Sequence, residues 1–299
     1  MESKNSKDPM PHKKTFLITG GTGFIGRHFI KIHPKDVFYV LTRQPLKDRE
    51  NIHYFSDFSA LPYDLKIDYV LNLAGRNISN RPWTKSFKIK LMDSRIETTR
   101  KLRLFLEKLT YKPKKCISVS AIGFYGPSGS KVLKEETPKG EGFSSDLCKD
   151  WEKEARKIER LGISLYITRL GVVLDPRGGI LKHLVPFFRW GMGYHFSPDP
   201  GYFSWVSLRD VIRFFDYLME NNPQASLYNV CVPEPLTHNM FYQSLSNKLN
   251  RPNFIKIPVK LLEIFLGDFG KELLTGSYRA SPSNILTHTK FQFHDQRFQ

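Results

Sequence analysis

The sequence predicts a doubly wound α/β fold: a parallel sheet with helices on both faces, joined to a smaller C-terminal subdomain. Three observations carry this. Apolar runs of β-type residues alternate with helical stretches from Lys14 to Arg169, the spacing of βαβ units. A glycine-rich turn joins the first run to the first helix. After Arg169 the texture changes, and Gly, Pro and aromatic residues cluster from Pro176 to Tyr202. Right-handed crossovers turn such βαβ units into a sheet wound in both directions.

Phe16, Leu17 and Ile18 form the first strand, and Phe24-Ile25 open the first helix. Pro34 cuts that helix short. Val37 to Thr42 is the second strand, a continuous apolar run suited to burial on both faces. Ile52 to Phe55 is the third, and Asp68 to Leu73 the fourth, ending in Ala74-Gly75. Trp83 to Lys108 reads as one long helix, in which Leu102, Phe105, Leu106 and Leu109 recur at i, i+3, i+4 and i+7. Pro113 separates it from a strand at Cys116 to Ser120. A helix follows over 144–160, stopped by Gly162, and Ser164 to Arg169 is a sixth strand. A helix at 208–220 and a strand at 227–232 return to the sheet. From Thr237 the chain reads as helical, with a short strand at Phe254 to Ile257 and Pro258 in the first turn of the next helix. No internal repeat or low-complexity segment is visible.

Composition narrows the classes. Of 299 residues, 40% are hydrophobic, enough for a sizeable core. No run of 18 apolar residues exists, so no membrane span is expected. Residues 1–13 lack the apolar centre of a secretory signal and read as a disordered tail. The three cysteines (Cys116, Cys148, Cys231) form no C-x-x-C pair, which argues against disulfides and zinc and for a reducing cytoplasm. The nine histidines show no H-x-x-x-H spacing, and no metal is expected. The net charge of +17 suits either a nucleic-acid or anionic-membrane partner, or a solvated basic surface that draws in anionic nucleotides. Lys and Arg are spread rather than blocked and no nucleic-acid motif is present, so the solvated surface is the reading taken, with no nucleic-acid or membrane partner.

The stretch KTFLITGGTGFIG at 14–26 carries the first chemistry. Gly21, Gly23 and Gly26 fit G-x-G-x-x-G; Gly20, Gly23 and Gly26 fit G-x-x-G-x-x-G. Thr22, Phe24 and Ile25 lie between them. Strand, glycine turn and helix in that order are the context of a dinucleotide site, with a pyrophosphate on the positive helix end. Arg43 stands at the end of the second strand, where an acidic residue usually binds a ribose 2′-hydroxyl. A guanidinium there matches a 2′-phosphate, so the expected cofactor is NADP(H). The small residues of Asn72-Leu73-Ala74-Gly75 either let the adenosine side of the cofactor lie against the backbone or simply pack tightly. Ser120, at the carboxyl edge of the fifth strand, is placed to hydrogen-bond a substrate carbonyl or hydroxyl. Trp205 and Pro186-Phe187-Phe188 are either stacking residues or core, and Arg169, Arg177, Lys182 and Arg209 are the cations available to an anionic substrate.

TGGTGFIG at 19–26, NLAG at 72–75 and SVSAIGFYG at 118–126 resemble the extended short-chain dehydrogenase/reductase superfamily. With RPWTKSFKIKLMDSRIETTRKL, DLCKDWEKEAR and RLGVVLDPRGG, the chain resembles its atypical branch, the NAD-dependent epimerase/dehydratase family with a nucleoside-diphosphate-sugar-epimerase-like C-terminal extension. The resemblance implies a Rossmann domain over 14–170, a substrate-side subdomain and C-terminal extension over 171–299, a small-molecule substrate, and pairing into a homodimer through helices such as that at 83–108. It makes Tyr125 a pocket-wall residue. Two departures stand out. Arg76 replaces an acidic residue after NLAG. The Tyr-x-x-x-Lys of classical members is also missing: one register places Ser144 and Cys148 at those positions, the other Ser145 and Lys149. A serine hydroxyl is a far weaker proton donor than a phenol. Three readings remain. Tyr125 takes the acid role, or Lys149 or Asp146 does proton work, or the chain binds NADP(H) with little chemistry. The expected function is an epimerase/dehydratase-like oxidoreductase on a small or sugar-nucleotide-like substrate, against a non-catalytic NADP(H)-binding regulator or scaffold.

Overall fold

A computed structural model describes residues 13–79 and 81–298; residues 1–12 of the expected tail lie outside them. The first half alternates strand and helix: β1 (Thr15–Thr19), α1 (Phe24–Ile32), β2 (Val37–Leu41), β3 (Ile52–Phe55), β4 (Tyr69–Asn72), α2 (Lys85–Lys108), β5 (Lys115–Ala121), α3 (Phe143–Arg156) and β6 (Ser164–Leu170). There follow β7 (Val172–Leu174), α4 (Leu181–Arg189), β8 (Gly193–Ser197), β9 (Trp205–Ser207), α5 (Leu208–Glu220), β10 (Leu227–Val230), α6 (His238–Leu249), β11 (Asn253–Pro258) and α7 (Val259–Asp268).

Seven strands form one parallel sheet in the order β10-β6-β5-β4-β1-β2-β3. The fold class is therefore the doubly wound α/β sheet. Strand alternation explains why these runs are apolar throughout. Phe16 and Ile18 of β1 point into a core shared with Phe29 of α1 and with Val211, Phe214, Phe215 and Leu218 of α5. Leu17 points the other way, into a core with Leu102, Phe105 and Leu106 of α2. Both faces are covered, so neither set of side chains meets water. The order of connection reverses between β1 and β4, and the crevice above their carboxyl ends is where ligands bind in such sheets.

The helix at 83–108 begins at Lys85 because the Thr84 hydroxyl accepts the Phe87 N–H at 3.2 Å, an N-cap. The helix over 144–160 is α-helical only to Arg156; a 3₁₀ turn carries it to Gly162 (φ +76°). The Gly/Pro/aromatic region holds a helix that local propensity hides. In α4, Leu181, Leu184 and Phe188 face the lobe core with Phe196, Phe203, Trp205, Phe241 and Tyr242, despite Pro186 inside it. Trp205 and Phe188 are thus core residues, while Phe187 is exposed. Pro258 ends β11 and caps α7 instead of entering its first turn. Among the described residues no helix is long and apolar enough to cross a membrane, and no group of three His, Cys, Asp or Glu is placed to hold a metal ion.

Lys115 fastens α5 to the sheet. Its buried ammonium donates to the carbonyls of Leu218 and Met219, both at 2.9 Å, and of Asn221 at 2.5 Å. These are orphan acceptors of a helix C-terminus, where a cation is favoured. Lys115→Met strands them beneath the sheet, and urea denaturation should show a loss of about 1–3 kcal/mol. A smaller loss would mean that water replaces the ammonium.

Candidate functional site

The glycine turn sits at the sheet's switch point. Gly20 has φ +73°, and its carbonyl accepts the Gly23 N–H at 2.9 Å. A Cβ on Gly20 would stand 2.6 Å from the Leu73 carbonyl oxygen, and one on Gly26 2.6 Å from the Gly21 Cα. Neither contact is tolerable, so side chains are excluded where β1, β4 and α1 converge. The first turn of α1 has no acidic residue and no side-chain cap. Its N–H groups are left for a ligand, which fits a pyrophosphate. Thr22 and Ile25 are half-buried at this turn. Phe24 lies against the loop after β7, since a Cβ on Gly178 would come within 2.3 Å of its ring.

A buried polar layer supports the opposite wall. The Asn72 amide donates to Thr99 Oγ1 at 2.9 Å and Ser118 Oγ at 3.0 Å, and its carbonyl accepts Thr19 Oγ1 at 2.7 Å. Thr19 Oγ1 in turn accepts the Ala74 N–H at 3.2 Å. Strands β1, β4 and β5 are thereby tied to α2, and Leu73, Ala74 and Gly75 are held beside the glycine turn. Gly75 has a further role. The Arg95 guanidinium of α2 lies flat on it, where a Cβ would stand 2.9 Å from Cζ. Arg95 donates to the carbonyls of Leu91 and Arg76, each at 3.2 Å, and faces the Trp151 ring at 5.3 Å. Burial pushes its pKa below the ordinary arginine value. The Nε of Arg76 is buried without a hydrogen-bond partner. Among the described residues neither guanidinium meets a carboxylate. Arg43 is exposed at the end of β2, also without a partner among the described residues.

The candidate acid–base residues lie elsewhere. Arg169 is buried and clamps Glu152 bidentately, Nε to Oε1 and a terminal nitrogen to Oε2, both at 2.8 Å. Burial works against its charge, but Glu152 more than offsets this and raises its pKa. The Ser120 hydroxyl donates to Glu152 Oε1 at 2.7 Å. The Tyr125 hydroxyl accepts from Arg169 and donates to Asn229 Oδ1, both at 2.8 Å. Burial pushes its pKa up to about 12. Ser144, Ser145, Cys148 and Glu152 are all buried on α3, so a serine stands at the Tyr position in either register. Burial raises the Cys148 thiol to about 11. Lys149 is on the exposed face, and Asp146 pairs with Lys139 at 2.8 Å.

The Ser120 proton thus goes to Glu152, Tyr125 is a core residue with a raised pKa, and Lys149 is exposed. Three of the expected substrate cations have carboxylate partners: Arg169 pairs with Glu152, Arg177 with Asp175 and Arg209 with Asp295. Glu272 is an addition that no local motif announces. Its carboxylate accepts the N–H groups of Phe143 (2.9 Å) and Ser144 (2.8 Å), capping α3 from the C-terminal segment.

The profile of the NAD dependent epimerase/dehydratase family matches residues 16–147. The epimerase family protein Mb2239 of Mycobacterium bovis is 32% identical over 282 residues, covering 93% of this chain and 92% of that protein. The epimerase family protein SDR39U1 of Mus musculus is 31% identical over 288 residues, 94% of this chain and 96% of that one. Among solved structures, human epimerase family protein SDR39U1 (isoform 2) with NADPH superposes with a TM-score of 0.82 at 27% identity, over 95% of this chain and 96% of that chain.

Arg169→Met leaves Glu152 buried and unpaired, and equilibrium unfolding should show a loss of about 3–5 kcal/mol. Tyr125→Phe should cost about 1–3 kcal/mol and leave NADPH affinity unchanged. Weakened NADPH binding by stably folded Tyr125→Phe would place its hydroxyl at the cofactor.

Proposed function

The chain belongs to the NAD-dependent epimerase/dehydratase family, and on that footing we propose that it binds NADP(H) as an epimerase/dehydratase-like oxidoreductase of a small anionic or sugar-nucleotide-like compound. The observation that carries the cofactor choice is unpartnered Arg43 at the end of β2, beside a glycine turn closed to any side chain. Gly20, Gly21, Gly23 and Gly26 with the first amides of α1 hold the pyrophosphate. Arg43 meets the 2′-phosphate, and Leu73, Ala74 and Gly75 form the wall. The solved relative with NADPH supports this reading. Bound there, the nicotinamide ring supplies or accepts a hydride.

Arg76 and Arg95 indicate the substrate's charge. An unneutralised guanidinium beside buried backbone is costly unless an anion arrives to pair with it. Their place after β4 puts that anion at the inner end of the cleft. With a serine where a phenol usually stands and the Tyr125 hydroxyl pushed up to about 12 by burial, the usual proton donor is missing. The work of this site is binding, orientation and electrostatics. That same gap favours a second reading, a non-catalytic NADP(H)-binding regulator. The two separate in a single-turnover screen of anionic carbonyl and hydroxyl compounds, where only the oxidoreductase changes nicotinamide absorbance.

Parallel fluorescence titrations should show NADPH binding more tightly than NADH by about 10- to 100-fold, the worth of charge-assisted hydrogen bonds. Arg43→Ala should remove that preference and leave NADH binding unchanged; an unaltered preference sinks the assignment. In the NADPH complex, Arg95→Met should abolish thermal stabilisation by small dianions such as inorganic phosphate while NADPH affinity holds. Persisting phosphate stabilisation would move the anion away from Arg95.

A further inference from the structure

The C-terminal lobe carries an apolar surface that its own core does not use. Helix α7 buries none of its ten residues, although its sequence is VKLLEIFLGD. Leu261, Ile264 and Phe265, at i, i+3 and i+4, form a stripe toward solvent, with Ile264 75% and Phe265 79% exposed. Helix α4 sends Leu181, Leu184 and Phe188 inward but leaves Phe187 outside, and Trp190 at its C-cap is 77% exposed. The parallel pair β8–β11 links the two helices. Gly193 follows Met192 and pairs with Asn253, and Pro258 leads into α7. Phe254 on this ribbon is 67% exposed. Single exposed apolar residues mean little, but an assembly of large ones marks an interaction surface.

Charge selects the partner. Lys182, Arg189, Arg251, Lys256 and Lys260 stand exposed on the same three elements and their flanks, without ion-pair partners among the described residues. Over 181–192 and 251–268 the acidic residues are Asp268, paired with Lys88 at the end of α7, and Glu263. It is half-buried and accepts the Thr275 hydroxyl at 3.1 Å. We propose that α4, the β8–β11 ribbon and α7 form a peripheral docking face for an anionic lipid bilayer. Trp190 lies at the headgroup level, Phe254, Ile264 and Phe265 enter the acyl boundary, and the five cations meet anionic headgroups. A two-fold pairing of this face with a second copy would set the same cations against each other. Single-stranded nucleic acid is served by stacking platforms, which Leu261 and Ile264 cannot provide. The geometry also sets a cleft lined by Gly142, Glu263, Lys271 and Glu272 next to the docked helix.

Trp83, Trp151 and Trp205 are buried, so Trp190 dominates any change in exposed tryptophan emission. The full chain is mixed with vesicles of phosphatidylcholine alone or with phosphatidylglycerol, then followed by cosedimentation and by bromolipid quenching. Binding should be at least about tenfold tighter to the anionic vesicles and should weaken with salt. Trp190→Phe should cosediment but lose the quenching. Ile264→Glu with Phe265→Glu should bind about tenfold more weakly or worse, with NADPH affinity unchanged as the check on folding. Three results overturn the proposal: no cosedimentation with anionic vesicles at low salt, equal binding to both vesicle types, or a lipid-free dimer in which Trp190 is already shielded.

Discussion

The charge of Arg169 is the constraint around which the upper edge of the sheet is built. A guanidinium inside the core is tolerable only if its donors are satisfied and its charge is met. Glu152 meets the charge, and the Tyr125 hydroxyl takes a further donor. Each partner then needs its own. Ser120 serves Glu152, and Asn229 serves Tyr125 while donating to the carbonyls of Leu133 and Ser281. One charge thus binds β5, β6, β10, α3 and the C-terminal segment into a single network. It also engages the Ser120 and Tyr125 protons inside the protein.

This arrangement explains which parts were legible in the sequence. Strand runs such as Val37–Leu41 are visible because burial on both faces forces every residue to be apolar. The glycine turn is visible because only glycine fits the Gly20–Leu73 and Gly26–Gly21 approaches. Arg43 is visible because it closes the second apolar run. Each of these signals is local. Glu272 capping Ser144 spans 128 residues, and Asn229 bonding Tyr125 spans 104, so no window of sequence contains either pair. Helix α4 was hidden for another reason. Pro186 and the neighbouring glycines argue against a helix locally, and the packing of Leu181, Leu184 and Phe188 against the lobe overrides them.

Residue type alone also failed to sort the arginines. Of the cations of the second half that suit an anionic substrate, Arg169, Arg177 and Arg209 each have a carboxylate of their own, and Lys182 has none among the described residues. Arg43, Arg76 and Arg95 lie around the cleft and have none among the described residues. The useful distinction is therefore pairing and not position in the chain. Arg169 and Arg209 tie separate parts of the chain together through their carboxylates, Arg177 closes only its own turn, and the unpaired arginines are the ones the proposed function assigns to a ligand.

The same test applies to the α3 face. Ser144, Cys148 and Glu152 occupy consecutive turns beneath the cleft. Glu152 is neutralised by Arg169, the Cys148 thiol is pushed toward its neutral form by burial, and the Ser144 amide is held by Glu272. On the proposed reading Arg76, Arg95 and the Asn72 layer contribute placement and field, and the proton that balances hydride transfer moves through the substrate or through water beside it.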